Sequence, residues 1–334
     1  MLQETHTPEP QDSAIAIRGV TKSFGATPAV RALDLVVPRG SLCGFLGPNG
    51  AGKSTTIRMI MSIIYPDSGE IEVLGSNSLS AKDRIGYLPE ERGLYRTMKV
   101  GEYLEYIGRL KGANRRTLTA HIKHWLERLD LPDAFGRKCQ ELSKGMQQKV
   151  QFLAAIVHDP ELIILDEPFS GLDPVNAVLI NERISELNSE GRTIIFSTHV
   201  LHQAEKICDR IFLIHKGQKL LDASLDEIHA RFDPRTLVAE PEDPAADATR
   251  WGLEATAGVA RVRARRDAPG VEIMLAPGAE PRAIMSAVLA AGAVRVLEIR
   301  RPSLEEVFVQ VVRQEDGEQA AQAAEEELSH VQGN

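Results

Sequence analysis

Cysteine is scarce in this sequence. Cys43, Cys139 and Cys208 are the only three in 334 residues, they stand far apart, and no two have C-x-x-C spacing. A disulfide framework and a zinc cluster are both excluded by that pattern, and a reducing compartment fits it. Long apolar runs are missing too: no stretch approaches the ~18 to 20 apolar residues that crossing a bilayer requires. The opening MLQETHTPEPQDS is polar and acidic, where a signal peptide would be basic and then apolar. The chain is expected to stay on the side where it is made. Finally, there is no excess of positive charge. Lys and Arg number 39 against 47 Asp and Glu, a formal net charge of −8, so the overall field opposes non-specific association with nucleic acid or an anionic membrane surface. No nucleic-acid partner is expected, and any polyanion it binds needs a local site.

What is present is enough for one large domain with an appendage or for two ordinary ones, with 43% hydrophobic residues to fill a core. Short β-branched runs (AIAIRGV, VRALDLVV, IEVLG, LIILD, TIIFST, RIFLIH) alternate with helical patterns such as KSTTIRMIMSII, VNAVLINERISELNSE and VLHQAEKI. That alternation predicts an α/β domain with a mainly parallel sheet over residues 13–222. Between about 92 and 157 the strands give way to amphipathic segments (GEYLEYIGRLKG, TLTAHIKHWLERLD, GMQQKVQFLAAIVHD), as in a helical subdomain inserted into the core. After about Asp222 a proline-rich stretch, ARFDPRTLVAEPEDPAAD, leads into a pattern of strand, strand, helix, strand, helix. A small C-terminal α+β domain is expected over 235–313. Residues 1–12 and the acidic tail 314–334, with six acidic residues and no Lys or Arg, are expected to be disordered, although AAQAAEEEL could form a marginal helix.

Residues 44 to 55, GFLGPNGAGKST, match G-x-x-x-x-G-K-[ST] at Gly47, Gly52, Lys53 and Ser54. The flanks matter as much as the match: SLCGFL before it is a buried strand and KSTTIRMIMSII after it a helix. Backbone N–H groups and a helix N-terminus therefore converge on an anion. Glycines let the backbone approach phosphates without a Cβ clash, Lys53 supplies a cation to the β- and γ-phosphates, and the Ser54 hydroxyl can ligate Mg²⁺.

Four apolar residues, Leu162 to Leu165, then lead into Asp166-Glu167-Pro168, as in a buried parallel strand that delivers polar residues at its carboxyl edge, where the phosphate loop also opens. Asp166 is placed to hold Mg²⁺, directly or through water. Glu167 is placed to accept a proton from the water attacking the γ-phosphate. Alone, D-E-P after an apolar run reads as an ordinary surface turn; its significance comes from the loop.

At 142 to 150 the chain reads LSKGMQQKV, which resembles the L-S-G-G-Q signature of ABC ATPases in the form L-S-x-G-x-x-Q. It lies ahead of LIILDEP, in that family's order. SGLDP (Ser170 to Pro174) is similar to its D-loop, STH ending at His199 to its switch histidine, and Phe24 in VTKSFG to its adenine-stacking aromatic. The resemblance spans about residues 14 to 222 and implies a P-loop NTPase (RecA-like) core. It also implies ATP and Mg²⁺ as ligands, held by Phe24, Gly47, Asn49, Gly50, Gly52, Lys53, Ser54, Thr55 and Asp173. Ser143 and Gly145, beside a helix starting near Met146, form an anion site at a helix N-terminus. In the family this site closes over the γ-phosphate of the facing subunit, so a head-to-tail dimer with two sandwiched ATPs is implied, here expected as a homodimer. His199 would stabilise charge on the transferring phosphoryl group.

One position departs from the pattern. The family usually has glutamine in the loop between core and helical insert; here IGYLPEERGLY puts Glu90 there. A carboxylate oxygen can still ligate Mg²⁺, yet it adds negative charge near the γ-phosphate and cannot donate a hydrogen bond. LPEERGLY and the later PSLEEVF, residues 302 to 308, resemble exporter ATPases of the sodium-efflux and drug-efflux types. An ABC-2-type permease encoded separately, with this chain peripheral on the cytoplasmic face of the membrane, is what that resemblance implies. Two other functions stay open at this point: a soluble ABC ATPase of ribosome or DNA metabolism, and a nucleotide-sensing subunit with little turnover. A single cassette and a short insert speak against the first, while Glu90 keeps the second in view.

Overall fold

A computed structural model describes residues 13–332 apart from Arg92, Pro234, Arg266 and Asp267; the expected disordered N-terminus, 1–12, lies outside the described residues. The chain divides into two units: Met1–Leu225 together with Phe308–Asn334, and Asp226–Val307.

The first unit opens with two long antiparallel strands, β1 (Ser13–Phe24) and β2 (Thr27–Pro38), which with β4 (Ser68–Val73) make a sheet of order β2-β1-β4. A second sheet contains β3 (Leu42–Leu46), β5 (Ile85–Leu88), β6 (Leu162–Asp166), β7 (Thr193–Thr198), β8 (Arg210–His215) and β9 (Gln218–Ser224), in the order β5-β6-β7-β3-β8-β9. Its pairings are parallel from β5 to β8, and β9 is antiparallel to β8. Every residue of β3, β6 and β7 is buried, which is why these strands read as unbroken apolar runs rather than as alternation. Between the two sheets lies α1 (Lys53–Ile60): Ile57 and Ile60 join Ile15, Leu33 and Leu35 from one sheet and Phe45, Ile164 and Phe212 from the other in one core. Each such fully buried side chain contributes roughly 1.5–3 kcal/mol, and that core fixes the helix whose first turn follows the glycine-rich loop.

The inserted helices are α2 (Val100–Leu110), α3 (Arg115–Arg128) and α4 (Lys144–Ile156), followed after β6 by α5 (Pro174–Ser189) and, beyond β7, α6 (Leu201–Glu205). At Gly86 on β5 a Cβ would lie 2.2 Å from the carbonyl oxygen of Ala155, so only glycine lets the end of α4 approach the sheet edge this closely.

The second unit contains most of α7 (Leu225–Arg231), then β10 (Thr236–Pro241), β11 (Val259–Ala264), β12 (Val271–Leu275), α8 (Pro281–Ala291) and β13 (Val294–Ile299). Its antiparallel sheet has the order β11-β12-β10-β13, and Ile284 and Val288 of α8 pack on Leu237, Ala239, Val271 and Ile273. The sequence pattern missed β10 because prolines surround it and suggest a linker. Yet Leu237 and Ala239 are fully buried, and the strand sits inside the sheet. The strand lies within the expected 235–313; the unit itself spans Asp226–Val307, because most of α7 belongs to it and the chain from Phe308 does not.

The end of the chain also departs from expectation. The helix α9 (Leu304–Asp316) is followed at Gly317 by α10 (Glu318–Gln332), and from Phe308 onward the chain belongs to the first unit. The acidic tail is helical because it has an apolar face to bury: Ala321 is fully buried and Ala324 is 5% exposed. Its charge had suggested disorder. No described helix is long and apolar enough to cross a membrane.

Candidate active site

The buried strand β3 runs straight into the glycine-rich loop. Gly52 is the N-cap of α1 with φ 103°, and a Cβ there would lie 2.5 Å from the Ala29 carbonyl oxygen, so the motif's second glycine is required both by its dihedral and by its neighbour. Lys53, 6% exposed, donates from Nζ to the carbonyl oxygens of Gly47 at 2.6 Å and Pro48 at 3.0 Å, so the loop closes around its ammonium. Asn49 and Gly50 are exposed at the crest, while Ser54 and Thr55 are half-buried on the first helical turn. That turn directs its N–H groups, and the positive end of the helix dipole, back toward the loop.

Strand β6, two places from β3 in the sheet, carries Asp166 to the same carboxyl edge. Asp166 is 1% exposed, and its Oδ1 accepts from Ser197 Oγ at 2.5 Å and from Ser54 Oγ at 3.3 Å. Burial pushes its pKa up, against the lowering effect of those two hydroxyls. The next residue, Glu167, has φ 51°, a left-handed conformation rare for a residue with a side chain. Its N–H donates to Ser197 O and Oγ, both at 3.2 Å. Its Oε1 accepts from the His199 N–H at 3.1 Å and pairs with His199 Nδ1 at 2.8 Å. That hydrogen bond is the main reason the His199 pKa is raised; partial burial opposes it, and among the further charges Glu90 adds to the rise. Hydrogen bonds thus join Ser54 to Asp166, and Glu167 to His199, with Ser197 bridging both pairs. Sequence reasoning missed Ser197. A hydroxyl inside the wholly buried run TIIFST needs a partner, and that was the available signal.

Helix α4 ties two loops to this edge, through Gln148, the glutamine of the signature motif, and Gln151, which sequence reasoning missed. Gln148 Nε2 donates to the Pro168 carbonyl at 3.1 Å and Gln151 Nε2 to the Glu91 carbonyl at 3.4 Å. Glu90 itself is exposed in the loop after β5. Phe24, at the end of β1, is 54% exposed, with Lys22 Nζ 5.7 Å from its ring centroid.

A second group surrounds the start of α4. This helix begins at Lys144, two residues before the expected start, and Ser143 caps it by accepting from Met146 N–H at 3.3 Å. Ser143 is exposed. Among the described residues a Cβ at Gly145 would meet nothing nearer than Leu172 Cδ2 at 3.7 Å, so none of them demands glycine there. Asp173 caps α5, its Oδ1 accepting from Asn176 N–H at 3.0 Å.

Two family models match the chain: "ABC transporter" over residues 30–170, and "ATP-binding protein DrrA1-3-like, C-terminal domain" over 224–312. The chain is 39% identical over 299 residues to the uncharacterized ABC transporter ATP-binding protein YhaQ of Bacillus subtilis, covering 89% of this chain and 98% of the relative. It is 34% identical over 307 residues to the Nod factor export ATP-binding protein I of a Rhizobium species, covering 90% and 98%. A solved structure described as the ATP binding subunit of an ABC transporter superposes with TM-score 0.62 at 30% identity, over 66% of this chain and 93% of that one. Fold, phosphate loop, carboxylate edge and near full-length relatives agree, and the chain belongs to the ABC transporter ATP-binding proteins: it binds and hydrolyses ATP as the energy-coupling subunit of a membrane transporter.

Proposed function

We propose that this subunit hydrolyses Mg²⁺-ATP between two copies of itself, on the cytoplasmic face of the membrane, and drives export through a separately encoded ABC-2-type permease. The hydrogen-bonded array at one sheet edge, Ser54–Asp166–Ser197–Glu167–His199, carries this reading. In it Phe24 stacks on adenine, and Asn49, Gly50, Gly52, Lys53 and Thr55 receive the phosphates. Glu167 takes the proton of the attacking water, and His199 holds Glu167 and faces the γ-phosphate.

The donor set fits a magnesium ion. Ser54 Oγ and Asp166 Oδ1 are two oxygens 3.3 Å apart, and burial raises the Asp166 pKa, a cost that a bound cation would offset. Among the described residues no group of three or more His, Cys, Asp or Glu could hold a metal alone, which suits an ion that takes most of its ligands from phosphate and water. When bound, it would neutralise charge on the β- and γ-phosphates. Glu90 is the remaining candidate ligand.

Dimerisation is supported by the signature segment: Gly145 has no packing reason to be glycine, whereas an approaching phosphate would require the space. Export is supported by the DrrA-like C-terminal match and by the Nod factor export relative. The second unit has no phosphate loop of its own, and we assign it a regulatory or dimer-supporting role.

Purified protein should release phosphate from ATP with Mg²⁺, lose that activity in EDTA and lose it in Lys53→Ala. Isolation from native membranes should recover a multi-span membrane protein in fixed proportion. Phosphate release that is indifferent to EDTA would overturn the metal assignment, and recovery of ribosomes or DNA in place of a membrane protein would overturn the transporter partner.

A further inference from the structure

The β8–β9 turn consists of Lys216 and Gly217, with φ 48° and 79°, between His215 and Gln218, which pair across it. Two consecutive positive φ values give the tight hairpin turn whose twist matches its strands. This turn is built against the phosphate loop. Gly217 N–H donates to the Ala51 carbonyl at 2.9 Å, and the Gly217 carbonyl accepts from Arg31 N–H at 2.8 Å. A Cβ at Gly47 would lie 2.1 Å from the Ile214 carbonyl oxygen, and one at Gly217 would lie 2.6 Å from that of Ala29. Loop backbone and turn backbone touch with no side chain between them.

The same turn is held by residues about a hundred positions later in the chain. Phe308 of α9, 1% exposed, meets the His215 ring edge-on, with centroids 5.8 Å apart and planes at 78°. Asp316, the last residue of α9, accepts from Lys216 Nζ at 2.7 Å and lies 3.5 Å from His215 Nε2. Val311 and Val312 on the same helix are buried. All of these residues lie in the unit that contains the phosphate loop.

We propose that Phe308 and Asp316 are positioning residues for the phosphate loop: they fix the 215–217 turn, and the turn fixes the backbone of Gly47 to Gly52 that receives ATP. The segment following the second unit is therefore part of the ATP site's support. An exposed ion pair contributes little stability alone. Its effect here is on orientation, since Lys216 holds a left-handed conformation that persists only when its surroundings fix it. The inference rests on the assignment of Gly47 to Ser54 as the phosphate loop.

The test uses the full-length chain carrying Phe308→Ala, Asp316→Lys, Lys216→Asp, or the last two together. KM and kcat for ATP, the Kd of a fluorescent ATP analogue, and hydrogen exchange at the amides of residues 47 and 49–53 are measured for each. Each single variant should raise KM and Kd by roughly 2- to 30-fold, the range for substitutions coupled to a ligand site without touching it. Exchange in the loop should quicken while kcat stays within about twofold. The charge-swapped double variant should recover most of the lost affinity, and aspartate tolerates the left-handed position. If Phe308→Ala fails to fold, the exposed Asp316→Lys still decides the matter. Unchanged affinity and exchange in Asp316→Lys would overturn the proposal, as would a fall in kcat at constant KM. Failure of the wild-type chain to bind the analogue would instead overturn the phosphate-loop assignment.

Discussion

Glu167 and His199 are joined twice: one carboxylate oxygen, Oε1, takes both the backbone N–H and the ring Nδ1 of the histidine, at 3.1 and 2.8 Å. Glu167 also has φ 51°, and such a conformation lasts only where several contacts impose it. Here they come from strand β7 and the residue just after it: Ser197 holds the Glu167 N–H and His199 holds its side chain. Strand β7 therefore aims the carboxylate that strand β6 delivers. A general base needs this fixed aim because proton transfer falls off steeply outside hydrogen-bond reach.

Glu167→Gln should retain ATP binding and lose turnover by ~10²-fold or more, the scale expected for removing a general base. Single-turnover phosphate release alongside nucleotide binding would measure both. Turnover equal to wild type would assign the proton elsewhere.

The Glu167 hydrogen bond raises the His199 pKa above its ordinary value. A histidine whose folded pKa exceeds its unfolded value of about 6.5 contributes stability that is fully present below that value and lost as pH rises through the folded pKa. The urea midpoint of the wild type should exceed that of His199→Gln by more at pH 6 than at pH 9. An equal difference at both values would mean that folding leaves the histidine's pKa unchanged.

Glu90 is exposed, and its charge adds to the field at His199. In the proposed site, replacement by Gln would remove a negative charge from the γ-phosphate side while keeping an oxygen able to ligate metal. Hydrolysis in Glu90→Gln should be preserved or raised. Complete loss at unchanged ATP affinity would show that the carboxylate itself takes part in the reaction.

The parallel core and the loop were legible because burial on both faces leaves an apolar run ending in polar residues, as in LIILDEP. Lys53, Ser54, Asp166, Glu167 and His199 could be named because each sits at such an end. Ser197 was hidden by its place within a run, since a single hydroxyl carries no periodic signal. Strand β10 was hidden by nearby prolines, which mark chain direction at strand ends as readily as they mark linkers. The tail helix was legible only as a marginal one in AAQAAEEEL, because charge suggested solvent, whereas Ala321 and Ala324 provide a buried stripe. Propensity alone leaves such a helix marginal, and tertiary packing decides it.

The last prediction concerns the dimer. Ser143 and Gly145 lie at the N-terminus of a 13-residue helix, where the macrodipole favours an anion. Within the chain a Cβ at Gly145 has space, and an aspartate in the first helical turn favours the helix. Gly145→Asp should therefore fold normally, so that any defect reports on what approaches from outside. In the Glu167→Gln background, ATP and Mg²⁺ should shift the protein from monomer to dimer mass in light scattering, because hydrolysis no longer reopens the pair. Adding Gly145→Asp should abolish the shift, since its carboxylate would face the γ-phosphate bound to the other chain and like charges repel at that range. An ATP-dependent dimer that persists in the double variant would mean that the signature segment does not close over a neighbour's nucleotide in this protein.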